Sequence, residues 1–234
     1  MSSDKLKTNK LDIGLAVSRS VVGAIPVAGT VLNELLSMTI PNQRLDRVTD
    51  FIRQLEQRIE NSELETLKNN QYFIDLLEDS IQQSIKSLTN KRNEYLVTFL
   101  SLNKDIDQSD FSVKKKLLNT LEALTDKDIE ILMSFRDIGY HGTRNDNYIR
   151  QETIGTVRNY TDRERYKYEL GQATWSAHIN ALESYKLIFP VHKLQPEDDP
   201  DIIQDYIDPE TGLAEIDQYK ISELGKVLLI AIGL

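Results

Sequence analysis

The chain has 234 residues, of which 40% are hydrophobic and 28% charged, a balance typical of a globular protein with one large or two small domains. The absence of cysteine excludes disulfides and thiolate metal sites, and three widely spaced histidines exclude an HExxH zinc motif. The polar N-terminus lacks the layout of a secretory signal, so we expect a cytoplasmic protein.

The first predicted element is an apolar segment, residues 11–41, that contains the stretch GAIPVAGTVLNELLSMTIP. A phosphate-binding loop needs a lysine between its last glycine and the following hydroxyl residue, but Thr30 follows Gly29 directly. The spacing therefore excludes a nucleotide loop and favours a pair of helices. Its candidate core or membrane positions are Gly23, Pro26, Gly29, Leu32 and Leu35.

Two interpretations of this segment remain open. The 14 residues between Arg19 and Glu34 carry no charge. A helix of that length spans about 21 Å, which is less than the ~30 Å of a bilayer's hydrocarbon core, so a buried helix pair is favoured. Recurring small residues also suit close helix contacts in a membrane. The alternative is a membrane-disrupting effector in which residues 13–40 insert on activation.

Periodic apolar residues then predict a series of amphipathic helices. Their predicted ranges are Asn42–Glu60, Ser62–Thr89, Lys91–Leu102 and Val113–Leu124, with a polar connection over Asn103–Ser112. We therefore expect residues 1–112 to form an N-terminal bundle of antiparallel helices, and residues 113–234 to form a second domain.

The second domain opens with a helix start. Thr125 can cap a helix over Asp126–Asp137, whose first turn holds acidic residues. The loop of residues 139–147 follows, and here His141 and Asp146 are close enough in sequence for acid–base chemistry. No nucleophile elbow, metal motif or paired carboxylates accompany them, so we expect neither a catalytic site nor a cofactor.

A basic and aromatic cluster comes next in the chain. Its members are Arg144, Arg150, Arg158, Arg163, Arg165 and Lys167, with Tyr160 and Tyr166 interleaved. Arginine and tyrosine together can hold phosphates and stack on bases, which suits a nucleic-acid-binding regulator or a partner contact. The favoured alternative is a salt-bridged surface in which these cations pair with Asp162, Glu164 and Glu169, or with acidic residues later in the chain.

The last third contains two predicted helices, Asp162–Leu170 and Ala173–Tyr185, then an acidic insert and a final apolar helix. The insert, residues 194–219, holds nine acidic residues and no lysine or arginine, so it accounts for the whole net charge of −9. The second helix also lacks lysine and arginine. DNA binding is therefore not favoured.

This order resembles the winged-helix family, in which a helix ends in a "LExxGLI" pattern and a "YxxTxxGRxLL" segment follows a two-stranded wing. The matching residues are Leu182, Glu183, Leu187, Ile188, Tyr219, Ser222, Gly225, Lys226, Leu228 and Leu229. The chain departs from the pattern at Lys186, where the family has glycine, and in the long acidic insert. The resemblance implies a mainly α fold: a helical bundle followed by a winged-helix-like α+β domain with a small β-wing.

The whole arrangement resembles small helical bacterial proteins of the abortive-infection type. The residues that carry the resemblance are Pro41, Arg44, Arg47, Phe51 and Leu55, then Tyr219, Ile221, Ser222, Leu224, Gly225, Leu228 and Leu229. The resemblance implies a role in phage defence and no catalytic residues. We expect a non-enzymatic protein that binds a protein partner or itself.

Overall fold

A computed structural model describes residues 42–137, 161–192, 212, 214 and 216–234. Within these ranges the chain is mainly helical, with eight α-helices and one two-stranded antiparallel sheet near the C-terminus. This confirms the predicted mainly α fold class. The chain divides into two compact units, one of residues 1–123 and 230–234 and the other of residues 124–229. The predicted boundary after residue 112 falls inside a helix of the first unit.

The first unit contains α1 (Asn42–Glu56), a short 3-10 turn (Asn61–Glu63), α2 (Leu64–Asn69), α3 (Gln71–Lys86), α4 (Asn90–Leu102) and α5 (Gln108–Ala123). Helix α3 contacts α1, α4 and α5, and α1 also contacts α4. Phe51, Phe73 and Phe99, from α1, α3 and α4, are fully buried among these helices. The three rings therefore fill a common core, as the apolar periodicity predicts.

A buried polar bridge fixes how three of these helices meet. Asn93 of α4 is fully buried; its side-chain oxygen accepts from Ser84 Oγ of α3 at 2.9 Å, and its amide donates to the carbonyl of Arg47 in α1 at 2.9 Å. Because a buried amide without partners costs free energy, these bonds favour one arrangement of the helices.

The helix predicted over Ser62–Thr89 is wrong in its continuity, since the chain breaks at Asn70. The Asn70 side chain accepts from the backbone amides of Tyr72 and Phe73, and so caps α3, while its own amide donates to the carbonyl of Ile106 at 2.8 Å. Asparagine is a preferred N-cap, and here the cap outweighs the apolar periodicity that runs through it.

Helix α5 begins five residues before the predicted Val113, at Gln108, because Asp107 caps it. The Asp107 carboxylate accepts from the Ser109 hydroxyl and from the amides of Ser109 and Asp110. These hydrogen bonds lower the pKa of Asp107 below its ordinary value. The polar residues 108–112 thus form the solvated first turn of a helix, and the prediction that they belong to a loop between two helices is wrong.

The second unit contains α6 (Asp126–Asp137), α7 (Asp162–Ser184), β1 (Ile188–His192), β2 (Ile216–Ile221) and the start of α8 (Glu223–Ala231). The predicted bounds of α6 are confirmed, and Thr125 caps it. Strands β1 and β2 pair antiparallel, with Ile188 opposite Ile221 and Pro190 opposite Tyr219. Residues 216–219, predicted as part of the acidic insert, belong to β2.

Helix α7 is a single helix of 23 residues, so the predicted break between Leu170 and Ala173 is wrong. Gly171 lies inside it, at a cost of about 1 kcal/mol relative to alanine. A carbon atom added at Gly171 would meet no atom within 4 Å, so no close contact requires glycine there. The helix continues through Gly171 because glycine keeps its backbone amide and so maintains the helical hydrogen bonds, at only this modest cost.

Candidate interaction surface

The structure places only part of the predicted site residues. Residues 13–40, with Gly23, Pro26, Gly29, Leu32 and Leu35, lie outside the described ranges, and the membrane interpretation stays a prediction. The loop of residues 139–147 and the cluster members Arg144, Arg150, Arg158 and Tyr160 lie outside them as well. In the part of the chain that is described, no helix is long and apolar enough to cross a membrane.

The remaining members of the cluster share the first half of α7. Every residue from Thr161 to Leu170 is exposed, including Arg163, Arg165 and Lys167. Three of the exposed side chains are large and apolar or aromatic: Tyr166 is 64% exposed, Leu170 50% and Tyr168 40%. About three turns of helix therefore have no buried side.

A capping box begins this exposed segment. The Thr161 hydroxyl accepts from the Glu164 amide, and the Glu164 carboxylate accepts from the Thr161 amide at 2.8 Å. The backbone and hydroxyl hydrogen bonds from Thr161, and to a smaller extent the charge of Lys167, lower the pKa of Glu164. The box satisfies orphan amides at the helix start.

The charged residues of this segment do not form the ion pairs that the salt-bridged interpretation predicts within the segment itself. Pairing with the acidic insert falls largely outside the described ranges and stays a prediction. Among the described residues, the three cations form no ion pair with the three carboxylates between Asp162 and Glu169. The Glu164 carboxylate is bound in the capping box. The cations and tyrosines are therefore presented to solvent.

Helix α7 has two opposite faces. Its inner face contains Trp175, His178, Ile179 and Leu182, with Ile179 and Leu182 buried, and the helix contacts α6 and β1. On the opposite side, a row of exposed residues runs the whole length of the helix. We call this row the outer face; it consists of Arg163, Tyr166, Leu170, Ala173, Ala177, Asn180 and Ser184.

A buried carboxylate holds the inner face of α7 to α6. Asp128 is 3% exposed; one of its oxygens lies 2.7 Å from His178 Nδ1, and the other accepts from the Thr125 amide and hydroxyl at 2.6 Å each. The carboxylate that binds the cap residue of α6 thus also anchors α7. The hydrogen-bond partners of the carboxylate are Thr125 and His178, so this contact orients α7 against α6.

The end of α7 is fixed by a left-handed turn. Lys186 has φ of 58°, and the amides of Lys186 and Leu187 donate to the carbonyls of Glu183 and Leu182. This is the Schellman arrangement, in which glycine is the usual residue at the left-handed position. Lys186, where the chain departs from the winged-helix pattern, therefore adopts a backbone conformation that favours the glycine of that pattern.

The start of α8 closes against the same corner. The Ser222 hydroxyl donates to the Lys186 carbonyl at 2.6 Å and accepts from the Gly225 amide at 3.0 Å. A carbon atom added at Gly225 would lie 2.4 Å from the Leu187 carbonyl oxygen. The Tyr219 hydroxyl faces the Glu183 carboxylate. Burial raises the pKa of Tyr219, and the negative charge of Glu183 raises it further. The motif residues in this corner thus serve packing and turn geometry.

The described residues contain no group of three His, Asp or Glu side chains able to hold a metal ion. Comparisons of the chain with protein-family models, with curated proteins and with solved structures find no match. Functional inference therefore depends on the geometry of the chain itself, and its most unusual described feature is the exposed half of α7.

The sequence interpretation missed five outer-face residues, Leu170, Ala173, Ala177, Asn180 and Ser184. Their spacing of three and four residues is present in the sequence. The break predicted between Leu170 and Ala173 separates Leu170 from the other four, and so it divides the row in two. A periodicity search that allowed one internal glycine would have found it.

Proposed function

We propose that this chain is a non-enzymatic interaction protein that acts by protein–protein association in a bacterial anti-phage defence system. The observation that carries the proposal is the exposed helical segment Thr161–Leu170, with Tyr166, Tyr168 and Leu170 on its surface. Tyr166 and Leu170 are four residues apart and so are neighbours on the helix surface, whereas Tyr168 lies on another side. Exposed apolar side chains that lie together mark sites of association.

The energetics of an unpacked helical segment support the same proposal. Most helical stability in proteins comes from the packing of one face of the helix. The segment Thr161–Leu170 has no such packing, and its capping box stabilises only the first turn. A partner that covers the segment would supply the missing packing.

The cellular setting comes from the resemblance to abortive-infection proteins. We propose a winged-helix-like arrangement for the second unit, and the order α7, β1, β2, α8 supports it. The proposal places the protein in the cytoplasm, with the second unit as its association module.

Photo-crosslinking in bacteria tests the association directly. Tyr166 is replaced by a benzophenone amino acid, and Glu94, exposed on α4 of the first unit, is replaced in a matched control. We expect a discrete cross-linked polypeptide from position 166 and none from position 94. Absence of any adduct at position 166, before and after phage infection, would refute the proposal.

Phage challenge tests the setting. Cells that carry the gene in its native operon should survive infection better than cells without it, and Leu170→Glu should remove the protection. Glu94→Lys, a change at an exposed residue of α4 in the first unit, is the control and should keep it. Equal phage titres with and without the wild-type gene would contradict a defence role.

A nucleic-acid-binding regulator is the second candidate. Arg163, Tyr166 and Lys167 are exposed at spacings of three and four residues, so they lie on one side of the helix. Such a group can hold a phosphate and stack on a base. This candidate predicts salt-sensitive binding of DNA or RNA that Arg163→Glu together with Arg165→Glu abolishes.

A further inference from the structure

The outer face of α7 has the spacing of a coiled-coil seam. Its seven residues follow each other in alternating steps of three and four along the whole helix. The middle of the row is uncharged and largely apolar, with Tyr166, Leu170, Ala173 and Ala177 in succession. The row lies opposite the inner face, so a second helix could cover it without disturbing the packing of α7 on α6 and β1.

We infer that the outer face pairs with the same face of a second copy of this chain, the two α7 helices lying parallel. This inference rests on the proposed association function and names its partner. A symmetric pair places each outer-face residue against its own copy across the two-fold axis. Between Tyr166 and Ala177 the successive layers are then one of tyrosine, one of leucine and two of alanine.

The charges that flank the seam select the partner and its direction. One flank carries Asp162, Glu169 and Glu183, and the other carries Lys167. In a parallel pair the two kinds of flank meet, so Asp162 of each copy lies opposite Lys167 of the second copy. In an antiparallel pair like flanks meet, and Asp162 would face Glu183 of the second copy. The parallel pair also places Arg163 against its own copy, which is one repulsion beside two Asp162–Lys167 ion pairs. The antiparallel pair forms two repulsions and no ion pair between the flanks, so the charges favour the parallel pair.

Residue size and seam length set the strength of the pairing. Ala173 and Ala177 allow the two backbones to approach closely, and Asn180 places a polar group in the seam that favours one register. The row spans about 33 Å, or roughly three heptads, which is the lower end of what sustains a coiled coil. We therefore expect a dimer that dissociates on dilution.

The absence of native cysteine allows a clean cross-linking test on the full chain. Tyr166→Cys and Ala177→Cys, made separately, place one thiol at two points of the seam. Arg165→Cys is the control, exposed on the same helix but off the outer face. Under mild oxidation we expect both seam variants to form disulfide-linked dimers at least ~10-fold faster than the control, because the pair raises the effective thiol concentration.

Three results would overturn the inference. Seam variants that cross-link no faster than Arg165→Cys would show that the outer face does not pair with itself. Cross-linking of Tyr166→Cys only to Asn180→Cys, in a mixture of the two, would show antiparallel pairing. Equally fast cross-linking of Ala177→Cys after adding Leu170→Glu would show that the seam is not the contact. Far-UV circular dichroism and the fluorescence of Trp175 confirm that each variant is folded.

The same set separates this inference from the proposed function. Photo-crosslinking at Tyr166 that captures a different polypeptide, with no disulfide dimer from either seam variant, overturns self-pairing and leaves the association function standing. Failure of both experiments refutes both.

Discussion

Lys186 is a lysine in a backbone conformation that glycine adopts without strain. Its φ of 58° ends α7, and the two hydrogen bonds of the turn force that value. A left-handed conformation costs a residue with a side chain about 1–2 kcal/mol. We expect Lys186→Gly to raise the free energy of unfolding of the second unit by about 1 kcal/mol, after allowance for the greater freedom of glycine in the unfolded chain.

The gain can be measured through Trp175, which is the only tryptophan and lies in the second unit, so its fluorescence reports on the unfolding of that unit. Lys186→Ala is the control, because alanine keeps the β-carbon and the strain. A gain of similar size from alanine would show that the lysine side chain, and not the backbone, is responsible.

Replacing glycine by alanine should have opposite effects on the stability of the second unit at Gly171 and at Gly225. At Gly225 an added carbon would lie 2.4 Å from the Leu187 carbonyl oxygen and 2.8 Å from Ile221, so Gly225→Ala should destabilise the second unit by about 1–3 kcal/mol. At Gly171 nothing lies within 4 Å, so Gly171→Ala should stabilise it by up to about 1 kcal/mol. Denaturant unfolding followed at Trp175 measures both, and equal signs would contradict the described packing.

At the scale of single elements, α3 carries a crowded group of carboxylates. Glu78 lies near Asp75 and Asp79, and Lys115 of α5 pairs with those two. Burial, and then the charges of Asp75 and Asp79, raise the pKa of Glu78 above its ordinary value. The folded state therefore binds this proton more tightly than the unfolded state, and stability falls as pH rises from the ordinary glutamate pKa through the raised one.

Glu78→Gln should remove this loss. We expect the variant to be more stable than the wild type at pH 7, by less than about 1 kcal/mol because the group is partly solvated, and equally stable near pH ~3, where both forms are neutral.

Asp107→Asn is the counterpart: the pKa of Asp107 is lowered, so the charge stabilises the fold at neutral pH and the benefit fades as pH falls through the lowered value. Thermal melts at several pH values test both, and a pH-independent difference for Glu78→Gln would contradict the assignment.

The element boundaries show what the sequence could predict. Apolar spacing predicted α4 and α6 closely, because each is one amphipathic helix with clear ends. It failed where a single polar residue decides the outcome, since Asn70 and Asp107 end or begin a helix through hydrogen bonds that depend on their surroundings. It also failed at Gly171, because one glycine keeps the hydrogen bonds of a helix and costs only about 1 kcal/mol.

At the scale of the whole molecule, the two compact units differ in what they expose to solvent. The first unit has a buried core and satisfied polar bridges, and nothing described in it suggests a site for chemistry. The second unit exposes half of a long helix. The sequence indicated Arg163, Arg165, Lys167 and Tyr166 as a cluster, but only the continuous α7 brings them onto the same helix as Ala173 and Ala177.

Sedimentation equilibrium of the full chain tests the central claim, that the outer face of α7 pairs with the same face of a second copy of the chain. We predict that the average mass of the wild type rises toward that of two chains as concentration increases. Leu170→Glu should remain a single chain throughout the same series, and Arg165→Glu should behave as the wild type. A wild type that stays a single chain at every concentration, or a Leu170→Glu variant that associates as strongly as the wild type, would contradict the claim.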